Sequence, residues 1–290
     1  MKKKDWLAFV ALSLAWGSSF FWIKIAIEEM GPITLVAWRV LFGILGLLVV
    51  VGIRRPEWPK RRELWFALLL LGLTNTAVPF VLISWAEVHI DSAVASILNG
   101  SLPLFTTVIA HFALTDDRLN RQRIIGLLVG FLGIVVLVQR DLGAGLDFNI
   151  VAQGAMILAV IFYAISAVYA RRNTKEVNPI IHALVPLFSA DILLWAIAPS
   201  VESPLVLPSL PLTWLAIVWL GVIGSCIAYL LYFYLLHSVG PTRASMVTYT
   251  FPLVGVTLGV GFLNERLDYS LVLGAALVIA SLLIVNRDKP

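Results

Sequence analysis

Two charged side chains stand well inside apolar runs of this chain: Arg39, in the run that follows Pro32, and Asp191, in the run from Ile180 to Ala198. Placing such a charge at the middle of a bilayer costs about 2.5 to 3.5 kcal/mol, so each calls for a partner or a task. Both lie at similar depth counted from the run ends, which allows a mutual pair. Arg39 and Asp191 are therefore the candidate charge or proton sites, Asp191 being suited to a proton or a substrate amine. The competing reading is a structural charge satisfied by a neighbour or by water. His111 and Glu87, nearer the ends of their runs, are secondary candidates.

Uncharged polar groups outline a wall for a bound solute. Pro103 and Pro252 fall near the middle of two apolar runs, where each removes an N–H and frees the carbonyl four residues back, at Asn99 and Thr248. Freed carbonyls cannot face lipid, and polar side chains crowd the same turns: Asn99 and Ser101 in one run, Thr248 and Tyr249 in the other. Trp16 and Ser19, Asn75 and Thr76, Tyr163 and Ser166, and Tyr229 with its neighbours Tyr232 and Tyr234 interrupt further runs. Taken as a candidate substrate-binding set, these residues suit an amphipathic solute with a flat or bulky apolar part. Each aromatic taken alone also fits interhelical packing, and Trp6, Trp58, Trp65 and Trp214 at run ends read as interfacial belts.

Catalysis finds little to work with. The sequence has no H-E-x-x-H, no G-x-S-x-G and no phosphate-binding P-loop, and no carboxylate pair stands at depth for acid–base work. One cysteine, Cys226, cannot form an internal disulfide, and histidines at 89, 111, 182 and 237 lack metal-ligand spacing. The expectation is a protein that is not an enzyme, with no catalytic residues, no metal and no cofactor.

The elements that must hold these residues follow from composition. Of the 290 residues 60% are hydrophobic and only 13% charged, with a mean hydropathy of +0.95, against about a quarter charged in soluble proteins. Crossing a bilayer core takes roughly 20 apolar residues as a helix, which leaves room for about ten spans. The runs lie near 6–27, 33–53, 64–86, 92–114 and 124–138, then 150–170, 180–198, 212–236, 242–263 and 269–285. A barrel is a poor rival, because its strands would alternate over about 10 residues. The run after Lys2, Lys3 and Lys4 is too long for a signal peptide and is read as the first span. If the N-terminus is cytoplasmic, the inner connections collect most of the 21 Lys and Arg, among them Arg54, Arg55, Lys60, Arg61, Arg62, Arg118, Arg121, Arg123, Arg171, Arg172, Lys175, Arg243, Arg287 and Lys289. The positive-inside rule then puts both termini in the cytoplasm, and the formal charge of +4 reports topology, with no nucleic-acid partner implied.

The chain also repeats itself. Ala95-Ser96, Pro103-Leu104, Leu114, Arg118-Leu119 and Gly126 recur as Ala244-Ser245, Pro252-Leu253, Leu263, Arg266-Leu267 and Gly274, at an offset of 149 residues that slips to 148. Five spans per half is odd, so the second copy enters the membrane from the opposite side. The expected fold class is an all-α membrane protein of ten transmembrane helices in an inverted five-plus-five repeat, with units at 1–144 and 145–290. In that architecture solute binds near the midplane where the halves meet. Gly126, Gly130 and Gly133, partly echoed by Gly274, Ala275 and Ser281, read as packing seams that either join the halves or make a dimer.

Trp16-Gly-Ser-Ser-Phe, Pro32 with Arg39, the mid-run Pro103 and Pro252, and the Asp117-Arg-Leu and Glu265-Arg-Leu turns each nine residues before a glycine resemble the drug/metabolite transporter superfamily, EamA type. The likeness covers essentially the whole chain, with Asp117 where the pattern usually shows Glu. It implies ten helices, an inverted repeat, a cavity lined chiefly by spans one, three, four, six, eight and nine, and export of amino acids or related metabolites. The aromatic-rich wall is similar to that of aromatic amino-acid exporters.

The leading function is thus a secondary transporter exporting small amphipathic metabolites, most of all large neutral or aromatic amino acids, by alternating access. A transporter of phosphorylated solutes such as nucleotide sugars is the alternative; it would need cavity cations, for which only Arg39 and Lys24 are placed. A channel would show a continuous polar stripe instead of clustered groups. The expected partners are a small-molecule substrate and the lipid bilayer, in the cytoplasmic (inner) membrane of a prokaryote, with monomer and homodimer both open.

Overall fold

In lipid a backbone has no water to bond, and apolar runs of this length satisfy their N–H and C=O groups within helices. The computed structural model describes residues 2–114, 119–142, 148–240, 244 and 246–286, and no strand occurs among them. The helices are α1 (Lys3–Ala26), α2 (Pro32–Arg54), α3 (Arg62–His89), α4 (Ser92–Ala113), α5 (Arg121–Gln139), α6 (Asn149–Asn173), α7 (Pro179–Val201), α8 (Pro211–Leu236), α9 (Met246–Phe262) and α10 (Tyr269–Val285). Eight are long and apolar enough to span a membrane, while α9 and α10 are shorter apolar helices. Asp117, Arg118, Thr242, Arg243, Ser245, Arg287, Lys289 and the proposed boundary after residue 144 lie outside the described residues.

Local chemistry sets where helices begin. Pro32, Pro179 and Pro211 each open a helix, where the missing N–H is no loss and the fixed φ is already helical. At α7 the Asn178 side chain also accepts from the Ile180 N–H at 3.0 Å, capping the first turn.

Five spans are interrupted, and four of the interruptions match between halves. In α4 the helix stops at Gly100 and restarts at Leu102, and in α9 a 3-10 stretch Met246–Thr250 precedes the helix from Phe251. Pro103 and Pro252 each sit just after the break, as helix-starting residues. In α3 residues Leu73–Ala77 widen to a π-helix, and in α8 Trp219–Ile227 do the same. Pro79 explains the first, since it lacks the N–H that the Asn75 carbonyl would bond in an α-helix. The second is stabilised from within by the Ser225 hydroxyl, which donates to the Leu220 carbonyl five residues back at 3.1 Å. The fifth is α1, where Ser18 separates Lys3–Gly17 from Ser19–Ala26.

Packing joins the halves rather than stacking one beside the other. The pairs α2–α7, α4–α9 and α5–α10 are the major self-matching contacts, and α1–α8 answers α6–α3. Likewise α2 crosses the π-segment of α8 as α7 crosses that of α3, and α1–α9 answers α6–α4. Exchanging first for second half leaves these pairings unchanged, the signature of a pseudo-two-fold relation. The glycine seam is the α5–α10 contact: a Cβ on Gly133 would lie 3.1 Å from the Gly274 carbonyl oxygen, so side chains there would force the helices apart. Leu7, Phe112, Leu132, Ile192 and Phe262 remain exposed, as a lipid-facing girdle requires.

Candidate functional site

Arg39 is the charge around which the middle of the bundle is organised. Its side chain is 6% exposed, and its guanidinium carbon sits 4.0 Å above the Phe80 ring of α3. Nε donates to the Ser225 hydroxyl of α8 at 3.5 Å, and the Tyr163 and Tyr229 phenols, from α6 and α8, and the Glu87 carboxyl of α3 are its other electrostatic neighbours. Among the described residues no carboxylate lies within ion-pairing distance. A desolvated cation over an aromatic face is stabilised by about 2 kcal/mol, which holds the guanidinium without neutralising it. Backbone proximity fixes the geometry: a Cβ on Gly221 would stand 2.6 Å from the Arg39 carbonyl oxygen, and one on Gly224 would lie 3.9 Å from the guanidinium.

Aromatic rings complete the surround. Trp16 meets Tyr229 and Tyr232 at centroid distances of 6.1 and 5.4 Å and Phe251 at 6.3 Å, while its indole N–H donates to the Gly224 carbonyl at 3.1 Å. Tyr163 meets Phe80 edge-on at 6.5 Å, and the Asn75 side chain is a hydrogen-bonding neighbour of the Tyr229 phenol. Of the residues singled out from sequence, Trp16, Arg39, Asn75, Tyr163 and Tyr229 are thus brought together. The π-segments carry Asn75 and Ser225 into this space, a use such distortions often serve.

Ser19 stands beside this cluster, its hydroxyl 3.4 Å from where a Cβ on Gly224 would lie, and the other candidates occupy different places. Ser19 donates to Ala15 at 3.1 Å, Ser166 to the Thr74 hydroxyl at 2.9 Å, and Thr76 is buried in the α3 π-segment. Asn99, Ser101, Pro103, Thr248 and Pro252 lie at the paired breaks, which touch: a Cβ on Gly100 would be 3.1 Å from Pro252 Cγ. Ser101 donates to the Leu98 carbonyl at 2.5 Å, and the Asn99 side-chain oxygen is buried without a partner. Tyr249 donates outward to the Leu282 carbonyl of α10 at 3.3 Å. The Arg39–Asp191 pair does not form, because Asp191 projects from α7 beside Trp195, one turn along its own helix. His111 accepts from the Leu119 N–H at 3.1 Å, a loop-holding role.

At the end of the bundle that holds the turns 27–31, 90–91, 202–210 and 263–268, carboxylates from one half cap helices of the other. Glu202 accepts from the Ile33 and Thr34 N–H groups at 2.8 and 2.9 Å and from the Thr34 hydroxyl at 2.6 Å. Glu265 accepts from the Ser92 and Ala93 N–H groups at 2.7 and 2.9 Å. Glu29 accepts from Ser209 and Leu210 N–H and from the Ser209 and Thr213 hydroxyls, and the two hydroxyls hold its carboxyl below the ordinary range. Lys24 does the complementary thing at a helix C-terminus, donating to the Glu87 and Ile90 carbonyls at 2.6 and 2.9 Å. A cleft of about 480 Å³, lined in part by Lys24, Glu28, His89, Asp91 and Arg266, opens beside this turn.

Sequence reasoning passed over Phe80, Ser225 and Gly224, and it offered Lys24 as a cavity cation, whereas the structure holds it on the carbonyls of Glu87 and Ile90. The signals were present in part: Pro79 marks the α3 distortion, and Phe80 and Tyr229 stand at the repeat offset of 149. Ser225 carried none, being one hydroxyl in an apolar run.

A model of the EamA-like transporter family, part of the drug/metabolite transporter superfamily, matches residues 4–139 and again 151–287. Among curated proteins, the Escherichia coli (strain K12) "Uncharacterized inner membrane transporter YedA" is 29% identical over 283 residues, covering 97% of this chain and 90% of its own. An "Uncharacterized transporter" of Archaeoglobus fulgidus is 25% identical over 292 residues, covering 99% and 100%. A solved crystal structure aligns over 98% of each chain with a TM-score of 0.69 at 18% identity, a likeness of fold. With ten apolar helices, an exchange-symmetric packing and a family match over nearly the whole length, this chain belongs to the EamA-like transporter family and is a multi-pass membrane transporter.

Proposed function

We propose that this protein is a secondary transporter that exports small amphipathic metabolites, foremost large neutral or aromatic amino acids, by alternating access between two inverted halves divided near residue 144. One observation carries the substrate class: a buried guanidinium that forms no ion pair among the described residues, ringed by Phe80, Tyr163 and Tyr229. A single fixed cation among aromatic faces matches a monocarboxylate attached to a flat apolar group. The rings of Trp16, Tyr232 and Phe251 extend the apolar side toward α9. Both termini are assigned to the cytoplasm by the distribution of Lys and Arg, which makes the carboxylate-capped end the outer one.

The phosphorylated-solute reading loses its second cation. Lys24 is engaged by two backbone carbonyls at the α3 terminus, leaving Arg39 alone to meet a phosphate or diphosphate. Purified protein in liposomes loaded with unlabelled L-tryptophan should accumulate labelled L-tryptophan by counterflow. Arg39→Gln should reduce that flux at least tenfold while the variant remains monodisperse in detergent. Undiminished flux in Arg39→Gln, or counterflow of a sugar nucleotide in place of tryptophan, would overturn the assignment.

A further inference from the structure

Glu87, in the last turn of α3, is fully buried, and both of its carboxylate oxygens lack any hydrogen-bond partner. Burying a polar group without compensation is costly and burying a lone charge far more so, which makes this the least accommodated carboxyl in the described residues unless it carries a proton. The charged groups that face it are Lys24 from α1, Arg39 from α2 and Glu265 from the α9–α10 connection, with His89 two residues along its own helix. Lys24 is near enough to matter and yet is spent elsewhere: its ammonium holds the carbonyl of Glu87 itself and that of Ile90. Directly beyond, Glu265 holds the start of α4 through Ser92 and Ala93. The α3–α4 turn is therefore bracketed by a cation from the first half and an anion from the second.

We propose that Glu87 is a proton-binding site whose occupancy controls this bracket, closed when the carboxyl is protonated and released when it is ionised. The inference rests on the transport reading above and adds a proton-controlled closure of one end. Loss of the proton breaks the carboxyl O–H bond, leaves the electron pair on the carboxylate and delivers the proton to water in the adjoining cleft. The new anion competes for the Lys24 ammonium, drawing it from the Ile90 carbonyl and unpinning the turn. The carbonyls so exposed are then met by water, which enters as the end opens. Reprotonation from that side restores the closed arrangement, so a proton taken up there drives closure after solute has left.

The test reads the bracket, not only transport. Nitroxide labels on Glu28→Cys and Arg266→Cys, across the cleft and in a Cys226→Ser background, report its width by pulsed dipolar spectroscopy in liposomes. In otherwise native protein the distance distribution should shift to longer values as pH rises from about 6 to about 9. Glu87→Gln should show one short distance throughout. A distribution insensitive to pH in the native background, which requires no variant at Glu87 to fold, overturns the proposal, as does an unchanged pH response in Glu87→Gln. Tryptophan counterflow at symmetric pH serves as the separate check on substrate: its absence in native protein would remove the amino-acid reading while leaving the distance result to stand or fall alone.

Discussion

The two ends of the bundle are held by different physics. At the end bearing the turns 27–31, 90–91, 202–210 and 263–268, carboxylates of Glu29, Glu202 and Glu265 reach across the halves to helix N-termini, and Lys24 reaches to a helix C-terminus. At the opposite end, cross-half polar contacts include Arg61–Glu176 at 3.3 Å, with side chains 66% and 59% exposed, Tyr234 to Asp5 at 3.1 Å, and Gln122 to the Ile284 carbonyl at 3.0 Å. Helix termini complement charge through aligned peptide dipoles and free N–H groups, whereas exposed ion pairs are screened. The difference teaches that, among the described residues, capped helix termini join the halves at one end, while an exposed ion pair and side-chain hydrogen bonds join them at the other.

That contrast can be broken most strongly at Glu202. Glu202→Ala removes the acceptor for three donors at the α2 start and should cost about 2 kcal/mol, read by thermal unfolding in detergent. Gly31→Ala should cost a similar amount, because a Cβ there would overlap the Glu202 carboxyl. Since both act on one contact, the double variant should lose scarcely more than either alone, and full additivity would show that the clamp is not their common target. Glu265 stands in the same relation to Gly259, whose Cβ would displace its carboxylate. Glu265→Gln, with two N–H partners, should cost about 1 kcal/mol and open the cleft to a water-soluble thiol reagent at Arg266→Cys.

Smaller effects sharpen the same comparison. Because its folded-state value is depressed by the Ser209 and Thr213 hydroxyls, Glu29 contributes fully above the ordinary carboxylate range and progressively less as pH falls through the depressed value. Glu29→Gln should therefore be less stable than native protein at neutral pH and converge with it in acid, as measured by unfolding across a pH series. Arg61→Ala, at the opposite end, should change stability by less than about 1 kcal/mol, and less still at high salt.

How far the sequence reveals this arrangement depends on the range of the interactions. Apolar runs, the paired prolines of α4 and α9 and the small residues of α5 and α10 are local patterns, and the helices, the matched breaks and the glycine seam follow from them. Arg39 announces itself by charge in an apolar run. Its surroundings do not, since Phe80, Ser225 and Tyr229 join it only when α2 crosses α3 and α8. The clamps are more remote: Glu202 meets Thr34 across 168 residues and Glu265 meets Ser92 across 173, so Glu265 reads from sequence as a turn motif and not as the cap of another helix. Asp191 illustrates the converse. Equal depth with Arg39 suggested a pair, but depth says nothing about azimuth, and α7 turns this residue toward Trp195.

Competition by a decarboxylated analogue addresses the central claim most directly, because it asks whether the Arg39 guanidinium among the rings of Phe80, Tyr163 and Tyr229 is the anchor for a solute carboxylate. In liposomes catalysing L-tryptophan counterflow, excess unlabelled L-tryptophan should abolish uptake of label, while an equal excess of tryptamine, which keeps the indole and the amine, should leave it nearly intact. Tryptamine competing as well as tryptophan would contradict the account, showing that the aromatic wall recognises the solute without Arg39.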